Sequence, residues 1–223
     1  MTGGRENSMT NLSLSRLAVI LCAVCACGDG DDEGNGGGGT GGGSTTACSA
    51  STCAGCCLNG ACQPGITAAA CGKTGAVCVE CRANQICRTD QSCGVDPEST
   101  WRVQPISAQI TSNNNGIAWD GDGSAPDVVV AMACPPAAAP VQGATPEVQS
   151  YTPSWSSGGC VTKAKNLLAE PWVFRLWDID LLSDDSITQS LQTQLSEQSF
   201  VAGSVSLGAN GGMQSLTVQL QKQ

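Results

Sequence analysis

The stretch that decides the fold runs from residue 172 to residue 187: Trp172-Val-Phe-Arg-Leu-Trp-Asp178-Ile-Asp180-Leu-Leu-Ser-Asp184-Asp185-Ser-Ile187. Its first half is aromatic and β-branched, the residue types that fit a pleated, half-buried strand. Its second half places four aspartates within eight residues. Asp178 and Asp180 stand two positions apart at the strand end, so extended backbone sends both side chains to one face. Charges this close repel unless water or a cation screens them. An upstream loop repeats the pattern: Trp119-Asp120-Gly-Asp122-Gly-Ser-Ala-Pro-Asp127-Val-Val-Val130. Together the two loops hold seven of the twelve acids after residue 95. Clustered oxygen donors suit calcium, a hard ion that takes six to eight oxygens. No nitrogen or sulfur donor accompanies them, which argues against zinc and copper. The candidate ligands are Asp120, Asp122, Asp127, Asp178, Asp180, Asp184 and Asp185. Asp120-x-Asp122-x-Ser124 opens like an EF-hand loop, but Ala125 and Ala131 stand where that loop needs Gly and Glu.

Strand signals continue on both sides. In Trp101–Ile110 apolar residues fall at 101 and 103, then resume at 106, 108 and 110, one place out of phase. Pro105 sits at the slip, which predicts a bulge or an edge position. Val128–Met132 is a continuous apolar run, as in a buried strand. Phe200–Leu207, the turn Gly208-Ala-Asn-Gly-Gly212, and alternating Leu216, Val218 and Leu220 predict a closing hairpin. Ile187, Leu191 and Leu195 satisfy a helix face and strand alternation equally. Many short strands between turn signals predict an all-β sandwich over residues 95–223. Trp119 and Trp177, each just ahead of a loop aspartate, read as core or rim packing. A Cys134–Cys160 disulfide would close a loop of about 27 residues and add about 3–4 kcal/mol.

Four pieces of this region, in order, resemble the C2 domain, an eight-stranded antiparallel sandwich that often binds calcium and phospholipid. Pro126-Asp127-Val-Val-Val130 ends an acidic loop, and Thr152-Pro-Ser-Trp155 stands where the family has Asn-Pro-x-Trp-Asn. Phe174-x-Leu-x-Asp178-x-Asp180 and Asp184-Asp185-x-Ile187 complete the set. The resemblance implies calcium ligands at Asp120 or Asp122, at Asp127, Asp178 and Asp180, and at Asp184 or Asp185. It also implies a strand over Ile187–Leu191. The sequence departs from the family in four ways. Asp180 and Asp185 are one residue closer than usual, Thr188 replaces a Gly, Pro126 precedes Asp127 instead of following it, and the basic phosphoinositide strand is missing.

Residues 48–94 are different in kind. They hold Cys48, Cys53, Cys56, Cys57, Cys62, Cys71, Cys78, Cys81, Cys87 and Cys93 but few large apolar residues. A segment this poor in core needs covalent or metal staples. With no His in the chain and a secretory leader ahead, disulfides are expected over zinc. The cysteine string resembles the module of many secreted myxobacterial proteins, and it reads as a rigid spacer.

The leader is residues 1–26. Arg5 and Arg16 precede an apolar run from Leu17 to about Ala26, too short to span a bilayer. Val24-Cys25-Ala26-Cys27-Gly28 resembles the lipobox of bacterial lipoproteins, with Cys25 in an unusual place. The resemblance implies lipidation at Cys27 and attachment to a membrane of the cell envelope, with the outer membrane expected. Without the anchor the protein would be secreted. Residues 27–47 then form a Gly-rich linker. If Cys22 and Cys25 leave with the leader and Cys27 carries lipid, even sets of cysteines remain in each later region.

Charge bounds the function. Ten basic against nineteen acidic residues give −9, so no basic stripe exists to neutralise phosphates and no nucleic-acid partner is expected. The absence of His removes His-based acid–base and nucleophile chemistry. Two neighbouring aspartates on one strand end are not opposed across a cleft as a glycosidase pair must be. The expectation is a non-catalytic, lipid-anchored envelope protein. Its sandwich would bind calcium and through it an anionic lipid, polysaccharide or protein. The alternative is a calcium-independent structural or protein-interaction lipoprotein.

Overall fold

The structure, a computed structural model, describes residues 47–223. The leader, Cys27 and nearly all of the Gly-rich linker lie outside the described residues.

Six short strands make three antiparallel hairpins in the cysteine region: β1 (Cys56–Leu58) with β2 (Ala61–Gln63), β3 (Ile66–Thr67) with β4 (Ala70–Cys71), and β5 (Gln85–Cys87) with β6 (Cys93–Val95). Every cysteine here is bridged: Cys48–Cys57, Cys53–Cys62, Cys56–Cys78, Cys71–Cys87 and Cys81–Cys93. The buried side chains of this region are cysteines, while Ile66 and Val77 are 64% and 78% exposed. Sulfur, not aliphatic packing, fills its centre. Zinc is thereby excluded at these thiols, because none is free to ionise.

The rest is a sandwich. Its elements are β7 (Thr100–Ile110), β8 (Asp127–Cys134), β9 (Val141–Ala144), β10 (Val148–Gln149), β11 (Cys160–Lys163), α1 (Ala164–Ala169), β12 (Trp172–Asp178), β13 (Asp185–Ser186), β14 (Leu191–Thr193), α2 (Glu197–Ala202), β15 (Ser204–Leu207) and β16 (Met213–Lys222). One sheet centres on the β8–β12 pair. β9 and β10 share the outer side of β8, and β13 and β14 share the outer side of β12. The other sheet runs β11-β7-β16-β15. Counting each interrupted strand once gives eight antiparallel strands in two layers, the C2-like architecture that the resemblance implied.

Alternation builds the core. Trp172, Phe174 and Leu176 of β12 and Val128, Val130 and Met132 of β8 face Trp101 and Val103 of β7 and Leu216, Val218 and Leu220 of β16. Each such side chain contributes about 1.5–3 kcal/mol on burial. The slip at Pro105 is a bulge. Thr217 pairs with Ser107 and Val218 with Pro105, which leaves Ile106 without a partner on β16. Its carbonyl accepts instead from the Trp155 N–H (3.0 Å). Cys134 and Cys160 are bridged and tie one sheet to the other.

Three expectations need correction. Phe200 does not begin a strand. It lies in α2, buried, with its ring edge-on to Trp101 at 4.9 Å and 77°, and Gly203 at φ 70° ends the helix before β15 begins. The Glu-Gln-Ser opening of α2 and its glycine stop were a helix signal overridden by the β-prone Phe-Val pair. Second, Ile187, Leu191 and Leu195 form neither a helix face nor one strand. Residues 187–190 leave the ladder, because the Thr188 hydroxyl accepts the Leu176 N–H (3.0 Å) and Arg175 donates to the Thr188 carbonyl (3.1 Å). Third, Val128–Met132 is buried on one face only, with Val129 and Ala131 half-buried on the other.

The two regions meet at a shared seam. Val95, at the end of β6, is fully buried in the sandwich core. Glu197 of α2 accepts from the Val95 N–H (2.8 Å) and pairs with Arg88, whose guanidinium also donates to the Val95 carbonyl (2.8 Å). Asn84 donates to the Phe200 carbonyl (3.0 Å).

Candidate metal centre

The inward phase of β12 that buries Trp172, Phe174 and Leu176 ends on Asp178, a carboxylate at 0% exposure. Antiparallel pairing sets it opposite Val128, so Asp127 at the start of β8 lies beside it. The Asp127 N–H donates to Asp178 Oδ1 (2.6 Å), and the Ile179 N–H donates back to the Asp127 carbonyl (3.0 Å). Asp178 Oδ2 is buried without any hydrogen-bond partner among the described residues. A buried charged oxygen left unpaired is among the costlier features a fold can carry.

Titration follows from that burial. Desolvation, joined by the charges of Asp120, Asp180 and Asp127 and opposed by the bond from the Asp127 N–H, pushes Asp178 up to about 6. Asp127 is raised by burial and then by Glu147, Asp120 and Asp122. Asp180 is raised by burial and then by Asp120, Asp185, Asp184 and Asp127. Asp122 moves the other way because the Ser124 hydroxyl and backbone N–H (2.9 Å) stabilise its anion. The Ser124 hydroxyl also donates to Asp120 Oδ2 (2.8 Å), and the Asp180 N–H donates to Asp184 Oδ1 (3.2 Å).

The acids therefore gather at one tip. A cleft of about 670 Å³ opens between the 119–127 loop and the 179–183 loop, with Asp120, Asp122, Asp127 and Asp180 on its walls. Asp184 and Asp185 are exposed beyond it. Gathering is not closure. Among the described residues no three carboxylates bring an oxygen each within 4.8 Å of one another, and the only trios that do are bridged cysteines. The sequence reading missed Glu147. It lies twenty residues past Asp127, and only the pairing of β10 with β8, Gln149 against Asp127, brings it to the cleft. It also passed over Leu181 and Leu182, which are fully exposed on the tip loop. Two adjacent leucines flanked by aspartates were the available signal. Trp119 is buried and donates to the Thr111 carbonyl (2.8 Å), while Trp177 lies under the Arg175 guanidinium at 3.7 Å, so both tryptophans pack as expected.

No family model matches the chain, and no curated protein matches it. Solved structures do. The chain is similar to the paired C2 domains, A and B, of extended synaptotagmin 2, at 15% identity and TM-score 0.41, over 57% of this chain and 42% of that one. A second is a CC2D1B structure described as coordinating ESCRT-III activity during mitotic reformation of the nuclear envelope, at 14% and 0.43, over 60% and 57%. A third is C2 domain A of a plant extended synaptotagmin 1, at 9% and 0.38, over 57% and 98%. The chain thus spans about half the length of the first two.

Proposed function

We propose that this is a non-catalytic, lipid-anchored cell-envelope protein whose sandwich binds calcium at the acidic tip and, through the ion, an anionic partner. The observation that carries the reading is Asp178: fully buried, with one oxygen unpartnered, its pKa raised by burial and by the neighbouring charges of Asp120, Asp180 and Asp127. A divalent cation supplies the missing counter-charge and leaves coordination positions for an anion. Asp127, Asp178 and Asp180 would hold it, with Asp120 or Asp122 from one loop and Asp184 or Asp185 from the other. Every donor is an oxygen, which fits a hard ion. Leu181 and Leu182, fully exposed beside these acids, favour an anionic lipid surface over a polysaccharide or a protein.

A second reading, a calcium-independent structural or interaction lipoprotein, is favoured by one observation: no three carboxylates among the described residues converge within 4.8 Å. Thermal melting of the protein with calcium and with chelator separates the two. At a hundred times the dissociation constant calcium adds about 2.7 kcal/mol. An unchanged midpoint up to millimolar calcium removes the ion and leaves the second reading.

A further inference from the structure

The loop that carries Asp120 also walls a second cleft, of about 730 Å³. It opens where the chain leaves β7, where the chain leaves the ladder after Ser186, and where the β15–β16 turn meets both. Its walls are tied by backbone bonds. The Thr111 N–H donates to the Gly212 carbonyl and the Gly212 N–H to the Ile187 carbonyl, both at 2.8 Å. Asn114 and Ile117 exchange a pair of bonds (2.7 and 3.1 Å), and the Gly116 N–H caps the Asn113 side chain (2.8 Å). A Cβ on Gly212 would stand 2.6 Å from the Trp119 ring, and one on Gly211 would stand 2.5 Å from the Ile187 carbonyl. The glycine pair is what lets the turn close on its neighbours. The cleft is therefore preformed, which lowers the ordering cost of binding.

Its chemistry differs from that of the acidic tip. Six carboxamide residues line it: Asn113, Asn114 and Asn115, whose side chains also bond within their own loop, and Gln189, Asn210 and Gln214. Thr111 and Ser112 add to them, while the Thr188 hydroxyl is buried and held by the Leu176 N–H, and no charged side chain lines the cleft among the described residues. In a chain of net charge −9 that is a marked local exception. Each carboxamide presents two donors and one acceptor. Gln189 and Gln214 are exposed, and Asn210 spends only its backbone, on Met213 (2.8 and 3.0 Å). A wall of neutral donors and acceptors is matched by a ligand that carries both densely and without charge. An anion finds no cation here, and Asp184 and Asp185 directly precede the wall at Ser186. A cation finds no carboxylate on the wall. An apolar ligand finds Ile187 buried at 2% exposure. We infer that this cleft binds a neutral oligosaccharide, independently of calcium.

The test uses the full chain labelled with ¹⁵N, titrated with maltotriose, cellotriose and the trimer of N-acetylglucosamine at millimolar concentrations, in chelator. The expected result is a saturable shift of the Gly211 and Gly212 backbone amide resonances, which every variant below retains, by at least one of the three sugars. Asn210→Ala with Gln214→Ala removes two hydrogen-bonding side chains and weakens that binding by about tenfold. If that pair disturbs the fold, Gln189→Ala with Gln214→Ala, both exposed, gives the same reading. The inference is overturned if no trisaccharide shifts those resonances. It is equally overturned if the shift survives in the variant, or if a uronic-acid trisaccharide or an uncharged peptide shifts the same resonances as strongly.

Discussion

The cysteine region and the sandwich solve the same problem in opposite ways. The first buries sulfur and leaves Ile66 and Val77 in solvent. The second buries Trp101, Trp172, Phe174 and Phe200 and uses a single disulfide between its layers. Chain entropy is removed beforehand from the unfolded state in one case and offset by apolar burial in the other. The consequence lies in what each can tolerate. A burial-built fold can hold an unpaired carboxylate such as Asp178 because its core supports the cost. A sulfur-built fold of this size has no such reserve.

Reduction should break the comparison most visibly. Each of the five bridges contributes about 3 kcal/mol through loop entropy. The fully reduced chain is expected to lose protease resistance over residues 48–94 while keeping the β signature of the sandwich by circular dichroism. Equal resistance before and after reduction would show that the region holds itself together without sulfur. Next in size is Phe200→Ala, expected to cost about 3–5 kcal/mol on chemical denaturation. Because Asn84 donates to the Phe200 carbonyl and Glu197 holds Val95, the same variant should speed amide exchange in β6. Exchange confined to the sandwich would mean that the seam carries no coupling.

Asp178→Asn comes third and has two signs. Its amide oxygen can still accept from the Asp127 N–H, so the fold keeps its local bond. The variant should lose the calcium increment of about 2.7 kcal/mol and, in chelator at pH 7, melt higher than the parent. The pH dependence has the same origin. The folded pKa of Asp178, about 6, exceeds its usual 3.8, so the native state binds more protons than the unfolded state between those values. Stability in chelator is therefore expected to fall as pH rises from 4.5 to 7. Asp127 and Asp180 act in the same direction. Glu98, held near 2 by Lys163 and Lys165, acts oppositely but only below about pH 4.5. A parent protein whose melting midpoint rises over that window would contradict the unpaired-carboxylate argument. The smallest effect belongs to Arg88→Ala. Its pair with Glu197 is part-exposed and worth about 1 kcal/mol or less. Differential scanning calorimetry should show a small shift, and a loss of several kcal/mol would make the seam a structural keystone.

Much of this was legible in advance. Alternation placed β7 and β16, a continuous apolar run placed β8, aromatic and β-branched residues placed β12, and the phase slip at Pro105 located the bulge. Cysteine parity separated ten internal partners from Cys134 and Cys160, although the pairing itself has no sequence signature. What stayed hidden depended on contacts distant in sequence. The carboxylate of Glu147 joins the site only through strand register. The break at residues 187–190 depends on Arg175 reaching across to Thr188. The burial of Asp178, the site's main energetic fact, follows from which face of β12 meets the second sheet, and two-residue periodicity leaves that choice open. The helix at 197–202 was missed because local β propensity at Phe200 and Val201 outweighed its start and stop signals.

The β7–β16 ladder also sets a polarity. Trp101 pairs with Lys222 at one end of it and Ile110 with Met213 at the other, and the Gln223 N–H donates to the Thr100 carbonyl (2.9 Å). Eleven residues of β7 at about 3.4 Å each separate that pole from the one bearing both clefts. The chain enters and leaves the sandwich at the pole remote from both clefts. A pull applied just ahead of Thr100 or at Gln223 is therefore borne at the end of the β7–β16 ladder farthest from the acidic tip.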